Sequence, residues 1–290
     1  MTDLPPPSDP PHPPLAVIFS TTLSGAGYGL LAWTGLTIAL LALRGGLSPA
    51  LEGVQLAGLG LGLLLSTIGL PCSLAQVGES GRRFSRWRSL LLSREGVLAV
   101  ATAPLAMAAM ALLLWMPTGA TRAAWLACLG LLLAVMALGT VACTAMVYAS
   151  LKPVPAWRHP LVLPVYLLFA LLTGLALQLV TMAAMLRGQG PAGMLPTLVL
   201  FGLVLAVLKW LYWRAIDRDM EVPGLDAPRL RWAALAGLVA LPLLATLLMA
   251  LGWIPALAAT LLAALGLLAG AFVERWLFFA QAPHVVSACC

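Results

Sequence analysis

Long apolar runs separated by short polar stretches set the pattern of this chain. An apolar run of roughly 18 residues or more, folded as a helix, crosses about 30 Å of hydrocarbon. Eight such runs predict helices over residues 15–43, 51–70, 93–115, 123–150, 161–186, 195–213, 232–251 and 254–279. The runs are continuous and lack the period-two alternation of a barrel strand, so the backbone must satisfy itself within helices. The expected fold is all-α: a polytopic membrane bundle of eight transmembrane helices over residues 15–279. An irregular proline-rich leader over residues 1–14 precedes it, and a short tail over residues 280–290 follows. The leader lacks the basic segment and small-residue cleavage site of a signal peptide, so the first helix is read as the insertion signal. That helix carries Ser24-Gly25-Ala26-Gly27-Tyr28-Gly29, and the second carries Gly58, Gly60 and Gly62. Small residues at this density predict close helix–helix approach.

Composition agrees with a membrane protein. The chain is 62% hydrophobic and 9% charged, against about a quarter charged in soluble domains, and its mean hydropathy is +1.01. The net charge of +6 concerns loop orientation and anionic lipid, not nucleic acid. Thirteen of the sixteen basic residues fall on the face with the loops after helices 2, 4 and 6. Arg44, Arg122 and Arg187 fall on the other. The positive-inside rule makes the basic face, and with it both termini, cytoplasmic. A basic surface that docks a partner produces the same bias.

Candidate chemistry is sparse. The five cysteines contain no C-x-x-C, so no iron–sulfur cluster is expected in this chain. His12, His159 and His284 lie outside the predicted spans, which excludes a haem held by two histidines. No metal site is predicted. No ionisable residue is expected in mid-membrane, which argues against an ion-coupled pump. Gln178 is the most polar deep residue, with Thr144, Thr173 and Thr181 nearby, and is read as an interhelical hydrogen-bond partner. Trp87, Trp157, Trp210, Trp213, Trp232 and Trp276 fall near span ends and read as interfacial anchors, with one or two also placed to wall a flat-ring pocket. Glu274-Arg275 near the end of helix 8 reads as a second lip-level pair, either a local ion pair or a contributor to a site. The densest charge is Arg82 to Glu95, RRFSRWRSLLLSRE. There Ser93 is placed to cap helix 3, and the helix dipole favours a carboxylate at Glu95. At the membrane–water boundary that carboxylate is also placed to accept a proton from a lipid-soluble donor.

Three stretches carry a resemblance. HPPLAVIFSTTLSGAGYGLL, RRFSRWRSLLLSRE and MVYASLKPVPAWRHPLVLPVYLLFALLTG resemble, respectively, the helix 1 entry, the loop between helices 2 and 3, and the helix 4 to helix 5 region of the membrane anchor subunits of dimethyl sulfoxide reductases. The resemblance covers roughly the first 60% of the chain; the last three spans match in length and hydropathy alone. It implies an anchor in the bacterial inner membrane that is not an enzyme by itself and binds no cofactor of its own. Such an anchor holds a ferredoxin-type iron–sulfur subunit with 4Fe-4S clusters and a molybdopterin catalytic subunit. It oxidises menaquinol or ubiquinol in anaerobic respiration and passes the electrons to the iron–sulfur subunit. By position, Glu95 falls on the family's quinol-site carboxylate, with Arg94, Arg88 and Arg86 beside it. Arg82, Arg83, Trp87, Lys152, Trp157 and Arg158 fall in the partner-docking loops. The histidine that such anchors carry before the glutamate is absent here: counting back from Glu95 gives Ser73, and matching on Ser66-Thr67 gives Gly69. Glu95 then acts alone, or with a loop histidine such as His159. Two other readings stand beside this one. One is a structural anchor without quinol. The other is a small-solute transporter, with helices broken at Pro104, Pro164 and Pro242 and Gln178 in a cavity.

Overall fold

The structure, a computed structural model, describes residues 15–75, 94–150, 155–186, 194–219 and 228–280. Eight helices in it are long and apolar enough to cross a membrane. They are α1 (Leu15–Leu43), α2 (Pro49–Ala75), α3 (Arg94–Trp115), α4 (Ala120–Ser150), α5 (Val162–Met185), α6 (Leu195–Asp219), α7 (Pro228–Ala250) and α8 (Ala256–Ala280). A short 3₁₀ turn, Pro155–Arg158, leads into α5. There is no strand among the described residues. The fold is the all-α membrane bundle that the apolar runs predict. Several helices outlast their runs: α6 continues through Arg214-Ala215-Ile216-Asp217-Arg218, because hydropathy marks where lipid contact stops, while good helix formers carry the backbone further.

The first helix is the hub. It packs against α2, α4, α5 and α8, and two thirds of its most apolar window is buried by protein, against 22% for α3. Its glycines make this possible. A Cβ on Gly29 would sit 1.8 Å from the carbonyl oxygen of Ala170 in α5. One on Gly174 would sit 2.2 Å from the carbonyl carbon of Gly29, so the two backbones touch. Gly27 and Gly62 bring α1 and α2 together in the same way, whereas Gly25 and Gly60 face open space. Mid-bundle, the Thr34 hydroxyl donates to Gln178 Oε1 at 2.9 Å, joining α1 to α5 as the sequence suggests for Gln178. A second buried glutamine, Gln55 of α2, accepts from Thr37 at 3.1 Å.

Helix α7 is interrupted over Ala236–Ala240 by a π turn, in which the Leu241 N–H bonds the carbonyl of Ala236. Pro242 follows it and has no N–H to offer the Leu238 carbonyl one turn back. That carbonyl faces α6, and a Cβ on Gly202 would sit 2.6 Å from its oxygen. Glycine at 202 therefore lets α6 close on the irregular turn. The proline modifies one helix locally and does not split it into two.

Side-chain contacts fix which helix ends lie together. At one end Arg122, in the first turn of α4, pairs with Glu52 in the first turn of α2 at 3.0 Å. Arg122 also donates to the carbonyls of Leu112 (3.1 Å) and Leu113 (2.9 Å) near the end of α3. At the opposite end, the start of α1 meets the end of α8 through Phe19 and Phe272, whose ring centroids are 4.7 Å apart. The end of α4 meets the turn before α5 through Tyr148 and Trp157 (5.8 Å). This second end carries the loops on which the sequence places most of the basic charge.

Candidate functional site

Between α1, α4, α5 and α8, towards the basic end, lies a cleft with about 440 Å³ of unfilled space, part of it open to the surroundings. One wall is Thr21, Thr22, Ser24 and Tyr28 of α1; others are Thr144 of α4 and Tyr166 and Phe169 of α5, and Arg275 closes it from α8. Its lining is mixed: flat rings, hydroxyls and one cation. Most hydroxyls are already committed. Thr21 donates to the carbonyls of Val17 and Ile18, Thr144 to Thr140 and Thr173 to Phe169, all within their own helices. Thr22 and Arg275 stand apart from these. Thr22 Oγ1 and Arg275 Nη1 are buried and have no hydrogen-bond partner among the described residues. Thr22 is 8% exposed and Arg275 is 5% exposed, so water does not easily supply what the protein withholds. Leaving such groups unpaired costs about 1–3 kcal/mol each, more when the group is charged. The guanidinium recovers part of this by lying over the Tyr166 ring, with Cζ 3.5 Å from the centroid.

A second, smaller hollow, with about 180 Å³ of unfilled space that is partly open to the surroundings, adjoins Tyr166 and is lined by Lys209, Tyr212, Glu274 and Phe278. Here Lys209 Nζ donates to Glu274 Oε1. Both side chains are almost wholly buried. Glu274 Oε2 has no hydrogen-bond partner among the described residues. The Lys209 ammonium also lies over the Tyr212 ring at 4.3 Å and near the Trp213 ring at 5.1 Å. The Tyr212 hydroxyl donates to the carbonyl of Ala156 at 3.2 Å. Around this centre Trp157, Phe278 and Phe279 pack with Tyr148 and Tyr166.

Several expectations change. The partner of Glu274 is Lys209 of α6, not its neighbour Arg275. The spans do contain buried ionisable groups: Lys209 lies about three helical turns inside the Asp219 end of α6. A lack of buried charge is therefore no ground for excluding ion transport. Trp157 is neither an interfacial anchor nor available for docking. It is 0% exposed, its indole N–H donates to the Phe278 carbonyl at 3.1 Å, and its ring stacks on Phe278, which leaves it no surface to offer a partner. Trp213 is buried beside Lys209, whereas Trp210 and Trp232 are exposed in this chain alone. Arg158 is exposed, and His159 is half-buried, its Nδ1 accepting the Leu161 N–H at 3.2 Å and its ring edge-on to Tyr212.

Most residues singled out from the sequence have side chains outside the described set. Arg82, Arg83, Arg86, Trp87, Arg88 and Lys152 lie outside the described residues. Ser73 falls in α2, and Arg94 and Glu95 in the first turn of α3, but their side chains lie outside the described set. The backbone places Glu95 at the same end of the bundle as the cleft. Little along the chain announces the cleft itself, because its residues come from four helices far apart in sequence. Lys209 and Glu274-Arg275 are the available signal: three charges within predicted apolar spans.

A stretch of 182 residues, 57% of this chain, is 34% identical to a sulfite dehydrogenase subunit of Allochromatium vinosum. The match covers 54% of that protein, so it spans about half of the relative's length. No family model matches the chain.

Proposed function

We propose that this chain is the membrane subunit of an oxidoreductase complex and that it exchanges electrons between the quinone pool and its partner subunits. The observation that carries the reading is the cleft in which Arg275 Nη1 and Thr22 Oγ1 stand buried and unpartnered among the described residues. A quinone ring is flat and apolar with an oxygen at each end. Tyr28, Tyr166 and Phe169 match its faces; a guanidinium N–H and a hydroxyl match an oxygen. The ring reaches the cleft sideways from the bilayer. The similarity to a sulfite dehydrogenase subunit supports an oxidoreductase complex as the setting.

The partners proposed are an iron–sulfur subunit with 4Fe-4S clusters, docked on the basic loops through Arg82, Arg83, Lys152 and Arg158, and a molybdopterin catalytic subunit beyond it. The site of residence is the plasma membrane, with the basic face in the cytoplasm. The resemblance to dimethyl sulfoxide reductase anchors points to quinol oxidation. A complex that oxidises sulfite, as the relative's name says of that protein, would drive electrons the other way and reduce quinone. The task of this chain is the same in both directions: hold the ring, stabilise charge on its oxygen and move protons. Glu95, with Arg86, Arg88 and Arg94, is the alternative location at the same end, on α3.

Binding of a fluorescent hydroxyquinoline N-oxide, a quinol analogue, to membranes containing the complex separates these. Arg275→Lys loses the planar donor and is expected to weaken binding about tenfold, equivalent to about 1.4 kcal/mol. Glu95→Gln is expected to leave it nearly unchanged. Loss in Glu95→Gln with normal binding in Arg275→Lys would move the site to α3. No binding to the unmodified complex, with partners attached, would leave a structural anchor.

A further inference from the structure

Resting on the quinone reading just given, we propose that the buried Lys209–Glu274 pair is the proton relay between the ring in the cleft and the loop surface at His159. A buried ion pair is weak evidence of a stabilising device, since desolvation cancels much of the attraction unless every remaining lone pair is satisfied. Here one is not: Glu274 Oε2 is buried at the edge of a cavity without a hydrogen-bond partner among the described residues. A carboxylate with one oxygen held by an ammonium and the other free is poised to take and give a proton.

The groups on either side form a route. Tyr166 lines both the cleft and the cavity that holds Glu274, and Arg275, next in sequence to Glu274, faces the cleft. The cleft side of this route has room for a water molecule beside the hydroxyls and the guanidinium that line it. On the far side Tyr212 lines the Glu274 cavity, and its ring meets that of His159 at 5.6 Å. His159 uses Nδ1 as an acceptor from Leu161, stands between exposed Arg158 and exposed Pro160, and is itself half-buried. Its imidazole therefore connects the interior with the loop surface.

In the quinone-reducing direction the balance is quinone plus two electrons plus two protons giving quinol. The electrons come one at a time from an iron–sulfur cluster of the partner. For each, a proton from the His159 side is taken up by the Glu274 carboxylate and passed on to a ring oxygen. The carboxylate then returns to its pairing with the Lys209 ammonium. Oxidation of quinol runs the same steps in reverse.

The experiment uses the complex purified with its partners, decylubiquinol and menadiol as electron donors, and the hydroxyquinoline N-oxide as the binding probe. Glu274→Gln alone leaves Lys209 buried and unpaired, and it risks misfolding. The decisive variant is therefore Lys209→Met with Glu274→Gln, which removes both charges. The expected result is a folded complex with analogue affinity within about threefold of the original, whose transfer of electrons from the quinol to the partner's clusters, followed optically, falls at least tenfold (about 1.4 kcal/mol in barrier). His159→Asn is expected to slow the same transfer and to raise its solvent deuterium isotope effect. Wild-type transfer rates in the double variant would show that the pair is a structural tie and overturn the relay. Failure of the unmodified complex to bind the analogue would instead remove the quinone reading itself.

Discussion

Two buried arginines, at opposite ends of the bundle, show how differently the same side chain is used. Arg122 is 6% exposed, and its Nε and Nη2 bind two carbonyls at the end of α3 and the Glu52 carboxylate of α2. It ties three helices together and satisfies carbonyls that a helix end otherwise leaves unpaired. Arg275 is buried to the same degree, yet one of its terminal nitrogens has no partner among the described residues, and the ring beneath it walls a cleft. Burial alone thus does not distinguish a strut from a site. What distinguishes them is whether a buried donor is left without a partner among the described residues.

The largest test of this contrast is stability at the basic end. Lys209→Met strands the Glu274 carboxylate and is expected to cost about 3–5 kcal/mol in unfolding from detergent micelles, while Lys209→Met with Glu274→Gln returns to within about 1 kcal/mol of the original. Equal losses in both would mean that the pair is a stabilising bridge. At the other end, Arg122→Met is expected to cost about 2–3 kcal/mol, because two charge-assisted bonds to carbonyls are lost while Glu52, being partly exposed, is rehydrated. Analogue binding should be unchanged; weakened binding would break the division between strut and site. The smallest effect is expected for Thr22→Val, which removes an unpartnered hydroxyl at constant shape. It should leave stability equal or raise it by about 0.5 kcal/mol, and weaken analogue binding about threefold. Unchanged binding would take Thr22 out of the cleft's chemistry.

The bundle is legible in the sequence and the cleft is not. Each span announces itself locally through an apolar run, and the glycines of α1 and α2 mark helices that pack closely. Gln178 is legible as an interhelical partner, since a deep polar side chain must find one. Trp157 misleads for an equally physical reason. A tryptophan beside a loop in a membrane protein is ordinarily an interfacial anchor, and nothing local reveals that Phe278 and Phe279, far along the chain in α8, enclose it. The Glu274-Arg275 dipeptide misleads similarly, because adjacent residues on a helix point about 100° apart and meet different neighbours.

By itself the sequence determined that this chain crosses the membrane as eight helices, because lipid solvation and backbone hydrogen bonding act span by span. It also determined where basic charge gathers, since that is a matter of loop composition. The tertiary structure alone decided that Lys209 faces Glu274, that Arg275 turns to Tyr166 and the cleft, and that Arg122 is closed off by α2 and α3. Those outcomes depend on the rotation of each helix about its axis and on the depth at which its neighbours stop. Both are set by contacts between residues remote in the chain, chiefly the backbone approach of Gly29 and Gly174 that locks α1 against α5.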